Sequence, residues 1–193
     1  MTRLTAVGRD DLSLTAELLL PAVDPGDGGL LPHSRRRLRR ALAASRGTGH
    51  GLPGAAWRAR RAATDELARA GLVSKRGLRL TDPRRAGTRF GRVRAILDEP
   101  NAADARDLEL LVLLAWCGVL GQRLTRDERR LAHRRVQDLL KSAEDGRWDV
   151  FGNEHPVPAW VGRLGGAAEL LAEIDLFDSP ELIDFGADRS GLR

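Results

Sequence analysis

A run from Leu110 to Leu120, Leu-Leu-Val-Leu-Leu-Ala-Trp-Cys-Gly-Val-Leu, carries no charged residue and constrains the fold more than any other segment. It lies in a segment from Asp104 to about Gln122 whose pattern predicts the most apolar helix of the chain. The run is too short to cross a bilayer, which takes about 20 apolar residues. A helix that is apolar on all sides must be covered by other elements, so we expect it at the centre of a folded core.

Other segments have the apolar spacing and the end signals of helices that can cover this one. The first four expected ranges are 12–20, 34–45 with Ser34 as the N-cap, about 54–70 closed by Gly71, and 86–98. The last helix begins at a Thr125–Glu128 capping box and extends to Lys141. Its residues expected to point inward are Leu131, Val136, Leu139 and Leu140. Residues 72–80 alternate around a turn and predict the only β-structure.

We therefore predict a mainly α fold, with a single helical domain of about six helices and at most one short β-hairpin, plus a C-terminal acidic tail. Residues 1–145 form the basic helical domain in this prediction. Residues 146–193 form a linker containing proline and glycine, followed by the loosely attached tail with an acidic amphipathic segment near 167–177.

Charge is distributed unevenly along the chain. The formal net charge is +5, but residues 149–193 hold nine acids and three bases, a net of −6, which leaves +11 on residues 1–148. A body with this excess attracts phosphate-rich partners such as nucleic acid or an anionic membrane face. The opposite charges also suggest the hypothesis that the tail folds over the body and weakens anion binding, so that deleting residues 149–193 tightens it.

Residue patterns typical of catalysis are missing. There is no Gly-x-Ser-x-Gly elbow and no phosphate-binding glycine loop, and the four histidines are scattered. The single cysteine, Cys117, lies in the apolar run and excludes an internal disulfide. We expect a non-enzymatic protein with no catalytic residue, no metal site and no cofactor. No apolar signal segment follows Met1, so we expect a cytoplasmic location.

Three stretches, in their order along the chain, give the sequence a family likeness. They are Asp11–Leu20 with the acidic glycine turn Asp24–Gly29, Asp65–Val73 at the end of the third helix, and Arg106–Ala115 joined to Ala132–Leu140. This order, over about two thirds of the chain, resembles the Golgi phosphoprotein 3 family, including its bacterial members. Members of that family are mainly helical and bind phosphatidylinositol 4-phosphate at a basic pocket on the cytosolic face of a membrane.

The resemblance implies a lipid head-group site on the third helix. Counted back from Gly71, the positions of the family's two head-group arginines are Arg60 and Trp57, so one arginine is kept and one is replaced. Arg58 and Arg61 are adjacent and can substitute, and a further arginine on the second helix corresponds to Arg36. The segment and hairpin that follow the family's second helix are replaced here by Gly47–Gly51, so the resemblance implies no oligomeric state.

Two other interpretations remain open at the level of sequence. Residues 35–80 also fit a winged-helix DNA-binding module, with Arg58–Arg69 in the major groove and Lys75–Arg79 as the wing tip. A helical module that binds only protein would use neither lipid nor DNA. For the site itself, Trp57 either lies at the head-group level beside its arginines or packs into the core, leaving the arginines as an ordinary solvated helix face.

Overall fold

The computed structural model describes residues 12–23, 32–47, 54–74, 79–81, 97–98, 104–120, 124–150 and 152–178. The helices in these ranges are α1 (Leu14–Val23), α2 (Pro32–Ser45), α3 (Ala55–Arg69), α4 (Ala105–Trp116), α5 (Arg126–Glu144), α6 (Ala159–Arg163) and α7 (Ala167–Asp178). The strands are β1 (Val73–Ser74), β2 (Arg79–Leu80), β3 (Trp148–Val150) and β4 (Asn153–His155). The mainly α prediction is confirmed, with seven helices in the described ranges where about six were expected. The helix expected over 86–98 lies outside them, apart from 97–98.

The apolar helix is α4, and its central position is confirmed. Leu111, Val112 and Leu113 are fully buried, and α4 contacts α1, α5 and α7. Asp104 begins the helix with a capping box, in which its side chain accepts from the Asp107 amide and the Asp107 side chain accepts from the Asp104 amide. Because apolar side chains surround this helix, elements from both ends of the chain join a single hydrophobic core.

Helices α1, α2 and α3 pack against one another on one side of the core. The face of α3 that they cover is a stripe at four-residue spacing, formed by Ala55, Ala59, Ala63 and Leu67. Alanines at these positions allow the neighbouring helices to approach closely. The packing therefore fixes which face of α3 is left for solvent.

The C-terminal end of α3 is closed by Gly71, as predicted from the sequence. Gly71 adopts a left-handed conformation (φ +71°), and the amides of Leu72 and Gly71 donate to the carbonyls of Leu67 and Ala68. This is a Schellman motif, in which glycine avoids the steric cost of a Cβ at positive φ. At the start of α2 the prediction was wrong, because the helix begins at Pro32 and Ser34 lies buried inside it.

Helix α5 opens with the predicted Thr125–Glu128 capping box, which is confirmed by reciprocal hydrogen bonds. Val136, Leu139 and Leu140 are buried as expected, but Leu131 is exposed and its predicted inward position is wrong. The inward face at that turn is formed instead by Ala132, one position further along.

Two antiparallel hairpins lie in the described ranges, where at most one was expected. The predicted hairpin is present, with Val73 opposite Leu80. The second pairs Trp148 with His155 and Val150 with Asn153, directly after α5.

The prediction of a loosely attached tail is wrong for residues 148–174. Trp148 and Trp160 are buried and meet edge to face, with ring centroids 6.1 Å apart. Leu170 and Ile174 of α7, spaced for one helix face, are buried in the contact with α4 and α5. Proline, glycine and acidic residues suggested a solvated tail, but the apolar side chains between them complete the core.

Candidate anion-binding surface

Trp57 is the most exposed large apolar side chain that the structure describes, with 61% of its surface accessible. The other three tryptophans of the chain, Trp116, Trp148 and Trp160, are buried. The interpretation in which Trp57 packs into the core is therefore wrong. An exposed indole is suited to a partner that is apolar on one side and polar on the other.

Three exposed arginines lie on α3 close in sequence to this indole. Arg58, Arg60 and Arg61 are all exposed, and the guanidinium carbon of Arg61 lies 5.3 Å from the centre of the Trp57 ring. That distance is within the range of a cation–π contact, which holds the guanidinium over the ring face. We call Trp57, Arg58, Arg60 and Arg61 the α3 arginine face.

The start of α3 orients this face. Gly54 precedes the helix in a left-handed conformation (φ 77°), and the Arg58 amide donates to its carbonyl at 2.9 Å, closing the first turn. From Ala55 to Thr64 the helix holds three arginines and no acidic residue. The amide groups of a helix N-terminus add partial positive charge, so the arginine field and the helix field reinforce each other here.

Arg36, the fifth residue expected at the site, lies on a different helix. It is exposed on α2, which packs directly against α3 and contains five arginines and no acidic residue. The structure thus brings Trp57 and Arg61 into contact, places Arg58 and Arg60 beside them on the same helix, and puts Arg36 on the neighbouring one.

Two other arginines of α2 turn inward, and sequence reasoning missed them. Arg37 Nη2 lies 3.0 Å from Glu173 Oε2 of α7, and Arg40 Nη1 lies 3.6 Å from Glu173 Oε1. Both guanidinium groups also flank the ring of Trp116, at 5.4 and 5.2 Å from its centre. We call Arg37, Arg40, Trp116 and Glu173 the Glu173 clasp.

The two arms of the Glu173 clasp differ in burial and in hydrogen bonding. Only 11% of the Arg37 side chain is exposed, and it donates to the carbonyls of Trp116 (2.9 Å) and Glu173 (3.3 Å). Burial lowers the pKa of Arg37, and the carboxylate of Glu173 opposes that shift. Arg40 is 40% exposed, and its one ion pair, with the Glu173 carboxylate, is too long for a good hydrogen bond.

Covalent or metal chemistry would depend on the cysteine and on possible metal ligands within the part of the chain that the structure describes. Cys117 is fully buried, and desolvation raises the pKa of its thiol despite the nearby Arg37. The described residues contain no cluster of three or more histidine, cysteine, aspartate or glutamate side chains able to hold a metal ion. Within the same ranges, no helix is both long and apolar enough to cross a membrane.

Comparison of the chain with models of known protein families, with curated proteins and with solved structures finds no match. The chemistry of the α3 arginine face is therefore the basis on which a function can be inferred.

Proposed function

We propose that the protein binds an anionic membrane surface through the α3 arginine face, as a non-enzymatic peripheral protein of the cytoplasmic face, with a phosphoinositide head group as its ligand. The observation that carries this proposal is the 61% exposed indole of Trp57 with the Arg61 guanidinium stacked on it. Arg58 and Arg60 extend the same surface.

The two kinds of side chain suit the two layers of a membrane surface. Guanidinium groups form paired hydrogen bonds to phosphate oxygens, while an indole is favoured at the head-group level between water and acyl chains. Each basic residue near an anionic surface contributes about 1 kcal/mol, so the three arginines of the face together give useful affinity. The arginines of this face would bind lipid phosphates while the indole of Trp57 occupies the head-group region.

The resemblance to the Golgi phosphoprotein 3 family supports the choice of phosphatidylinositol 4-phosphate as the ligand to test. Arg60 and Trp57 occupy the positions of that family's head-group arginines, and both are exposed here. The replacement of one arginine by Trp57 predicts a weaker charge contact and a stronger interfacial one than two arginines would give.

Sedimentation with vesicles tests the proposal. Phosphatidylcholine vesicles containing phosphatidylinositol 4-phosphate are compared with phosphatidylserine vesicles matched in total charge, at physiological salt. The variants are Arg60→Ala, Trp57→Ala and the control Arg134→Ala, which removes the same charge from an exposed position of α5. Soluble head group added as a competitor separates recognition of the phosphate from adsorption to a charged surface.

We expect preference for phosphatidylinositol 4-phosphate vesicles, and a loss of binding of about fivefold or more in Arg60→Ala but not in Arg134→Ala. Equal binding to both vesicles with equal effects of the two arginine variants would reduce the interaction to net charge. Absence of binding to either vesicle would overturn the proposal.

A DNA-binding function is the second candidate, and the packing of α1, α2 and α3 followed directly by the β1–β2 hairpin favours it. Three helices and an antiparallel hairpin in this order are the parts of a winged-helix module, and the contacts of α1 with both α2 and α3 support this candidate. Of the expected wing tip, Lys75–Arg79, residues 75–78 lie outside the described residues. Fluorescence anisotropy with a duplex DNA distinguishes the candidates, since Trp57→Ala should weaken vesicle binding and leave DNA binding nearly unchanged. Binding to neither ligand would favour a module that binds only protein.

A further inference from the structure

Arg40 lies at the border between the interior of the protein and the exposed face of α2. One helical turn before it is the exposed Arg36, and positions four residues apart are neighbours on a helix surface. On its other side Arg40 faces Glu173 and the ring of Trp116. A modest change of its side-chain rotamer would therefore move the guanidinium group from the carboxylate toward the side of Arg36.

The contact that holds Arg40 inward is weak. It consists of one ion pair at 3.6 Å, with 40% of the arginine side chain and 24% of the glutamate side chain exposed, and of a cation–π contact 5.2 Å from the centre of the Trp116 ring. Partly exposed pairs of this kind add little net stability, because solvent screens the charges and ordering two long side chains costs entropy.

Glu173 would keep its other partners if Arg40 left. Arg37 Nη2 remains 3.0 Å from Oε2, and the indole Nε1 of Trp116 donates to the same oxygen at 2.9 Å. Breaking a buried ion pair is costly when it leaves a buried charge without a partner. Departure of Arg40 would not do so, because the carboxylate keeps its contacts with Arg37 and Trp116. The Glu173 clasp thus has a fixed arm, Arg37, and a releasable arm, Arg40.

We propose that Arg40 is a further anion-binding residue, exchanged between Glu173 and a lipid phosphate that also contacts Arg36, so that Glu173 competes with the membrane for Arg40. This inference rests on the proposed function and adds two arginines of α2, the helix that packs against α3, together with a means of regulating one of them. The acidic helix α7 then weakens anion binding because Glu173 occupies the guanidinium group of Arg40, and α7 does not have to leave the core.

The test uses the full chain and phosphatidylcholine vesicles containing phosphatidylinositol 4-phosphate. Glu173→Gln removes the charge but keeps an amide oxygen that can accept from Trp116. Its matched control is Glu169→Gln, one turn earlier on α7 and exposed, which changes the net charge by the same amount. Arg40→Gln is made alone and together with Glu173→Gln, and thermal unfolding verifies that each variant is folded.

We expect Glu173→Gln to bind about fivefold more tightly than wild type, Glu169→Gln to bind nearly as wild type, and the gain to disappear when Arg40→Gln is added. Equal effects of the two glutamate variants, or a gain that survives Arg40→Gln, would overturn the role of Arg40 while leaving membrane binding intact. A Glu173→Gln chain that fails to fold leaves Arg40→Gln decisive by itself, since wild-type affinity in that variant excludes the proposal. A wild-type protein that binds no vesicle refutes the proposed function and this inference with it.

Discussion

The indole Nε1 of Trp116 donates a hydrogen bond of 2.9 Å to Glu173 Oε2, which ties the central helix α4 to α7. The same carboxylate binds Arg37 of α2, so one partly buried group joins three helices that lie far apart in the sequence. Helices α4 and α7 also contact each other directly, and a polar network whose members all have partners favours one relative placement of the helices it joins.

Replacing Trp116 by phenylalanine should destabilise the protein by roughly 2–4 kcal/mol. The change removes a hydrogen bond to a charged group and leaves unfilled volume at a fully buried site. Urea unfolding followed by circular dichroism measures the difference. The matched control is Trp57→Phe, expected within about 0.5 kcal/mol of wild type because that indole is exposed. Similar losses in both variants would contradict the assigned role of the Trp116 N–H.

Ending the chain after Gly146 should abolish cooperative unfolding, because it removes the buried residues Trp148, Trp160, Leu170 and Ile174 from the core. Ending it after Asp178 keeps every one of the described helices and should preserve a single cooperative transition. Thermal unfolding by calorimetry distinguishes the two chains. A cooperative transition in the shorter one would show that residues 148–174 are dispensable.

The hypothesis that deletion of residues 149–193 tightens anion binding therefore cannot be tested by that deletion, because the deletion removes part of the core. Single charge changes such as Glu173→Gln replace it.

The parts of this fold that sequence predicted are those set by local chemistry. The Thr125 capping box, Gly71 and the apolar run of α4 each depend on residues within a turn or two of one another. Contacts between residues far apart in the sequence, such as that of Arg37 with Glu173, were not predictable. Arg36 and Arg37 are equivalent in sequence, and only the orientation of α2 relative to α4 and α7 decides which of them points inward. A buried indole such as Trp116 usually finds a hydrogen-bond partner, and this was the available sequence signal of the Glu173 clasp.

At the candidate site, too, the local features were predictable from sequence and the tertiary packing was not. Sequence placed Trp57 and its arginines on one helix, but left open whether the indole was buried or exposed. That choice depends on which face the stripe ending at Leu67 presents to α1 and α2, and this is a property of tertiary packing.

Gly71→Ala should destabilise the protein by about 1 kcal/mol or more, since the residue adopts φ +71° and a Cβ is disfavoured there even in open space. Gly162→Ala is the control, because Gly162 lies within α6, has no positive φ and has room for a methyl group. That variant should be as stable as wild type or gain up to about 1 kcal/mol. Equal shifts of the urea midpoint in the same direction would contradict the conformational explanation.

Stability should depend on pH through Glu109, which accepts a 2.7 Å hydrogen bond from Trp160 Nε1. Desolvation raises the pKa of Glu109, against the opposing effects of that hydrogen bond and of Arg106. A carboxyl group whose pKa is higher in the folded state favours folding at low pH, and this contribution is lost as pH rises through the raised pKa.

Glu109→Gln should therefore be more stable than wild type at neutral pH, since its amide oxygen still accepts from Trp160 and no buried charge remains. The difference should shrink as the pH falls below the usual range of a carboxyl group. Urea unfolding at a series of pH values measures it, with Glu144→Gln at an exposed position as control. A variant that is less stable at neutral pH, or a difference that does not change with pH, would show that the carboxylate is stabilising as an ion.

Salt dependence should separate the roles of the two kinds of residue on the α3 arginine face. Contacts between guanidinium groups and lipid phosphates weaken as ionic strength rises, because added ions screen exposed charges, whereas insertion of an indole into the interface is nearly insensitive to salt. Arg60→Gln should therefore reduce the slope of the logarithm of vesicle affinity against the logarithm of salt concentration. Trp57→Phe should lower affinity at every salt concentration and leave the slope unchanged. Phenylalanine is chosen because it keeps an aromatic face for Arg61, whose guanidinium stacks on the indole. An unchanged slope in Arg60→Gln would mean that this arginine does not contact the phosphates, and a changed slope in Trp57→Phe would mean that the indole acts mainly by positioning Arg61.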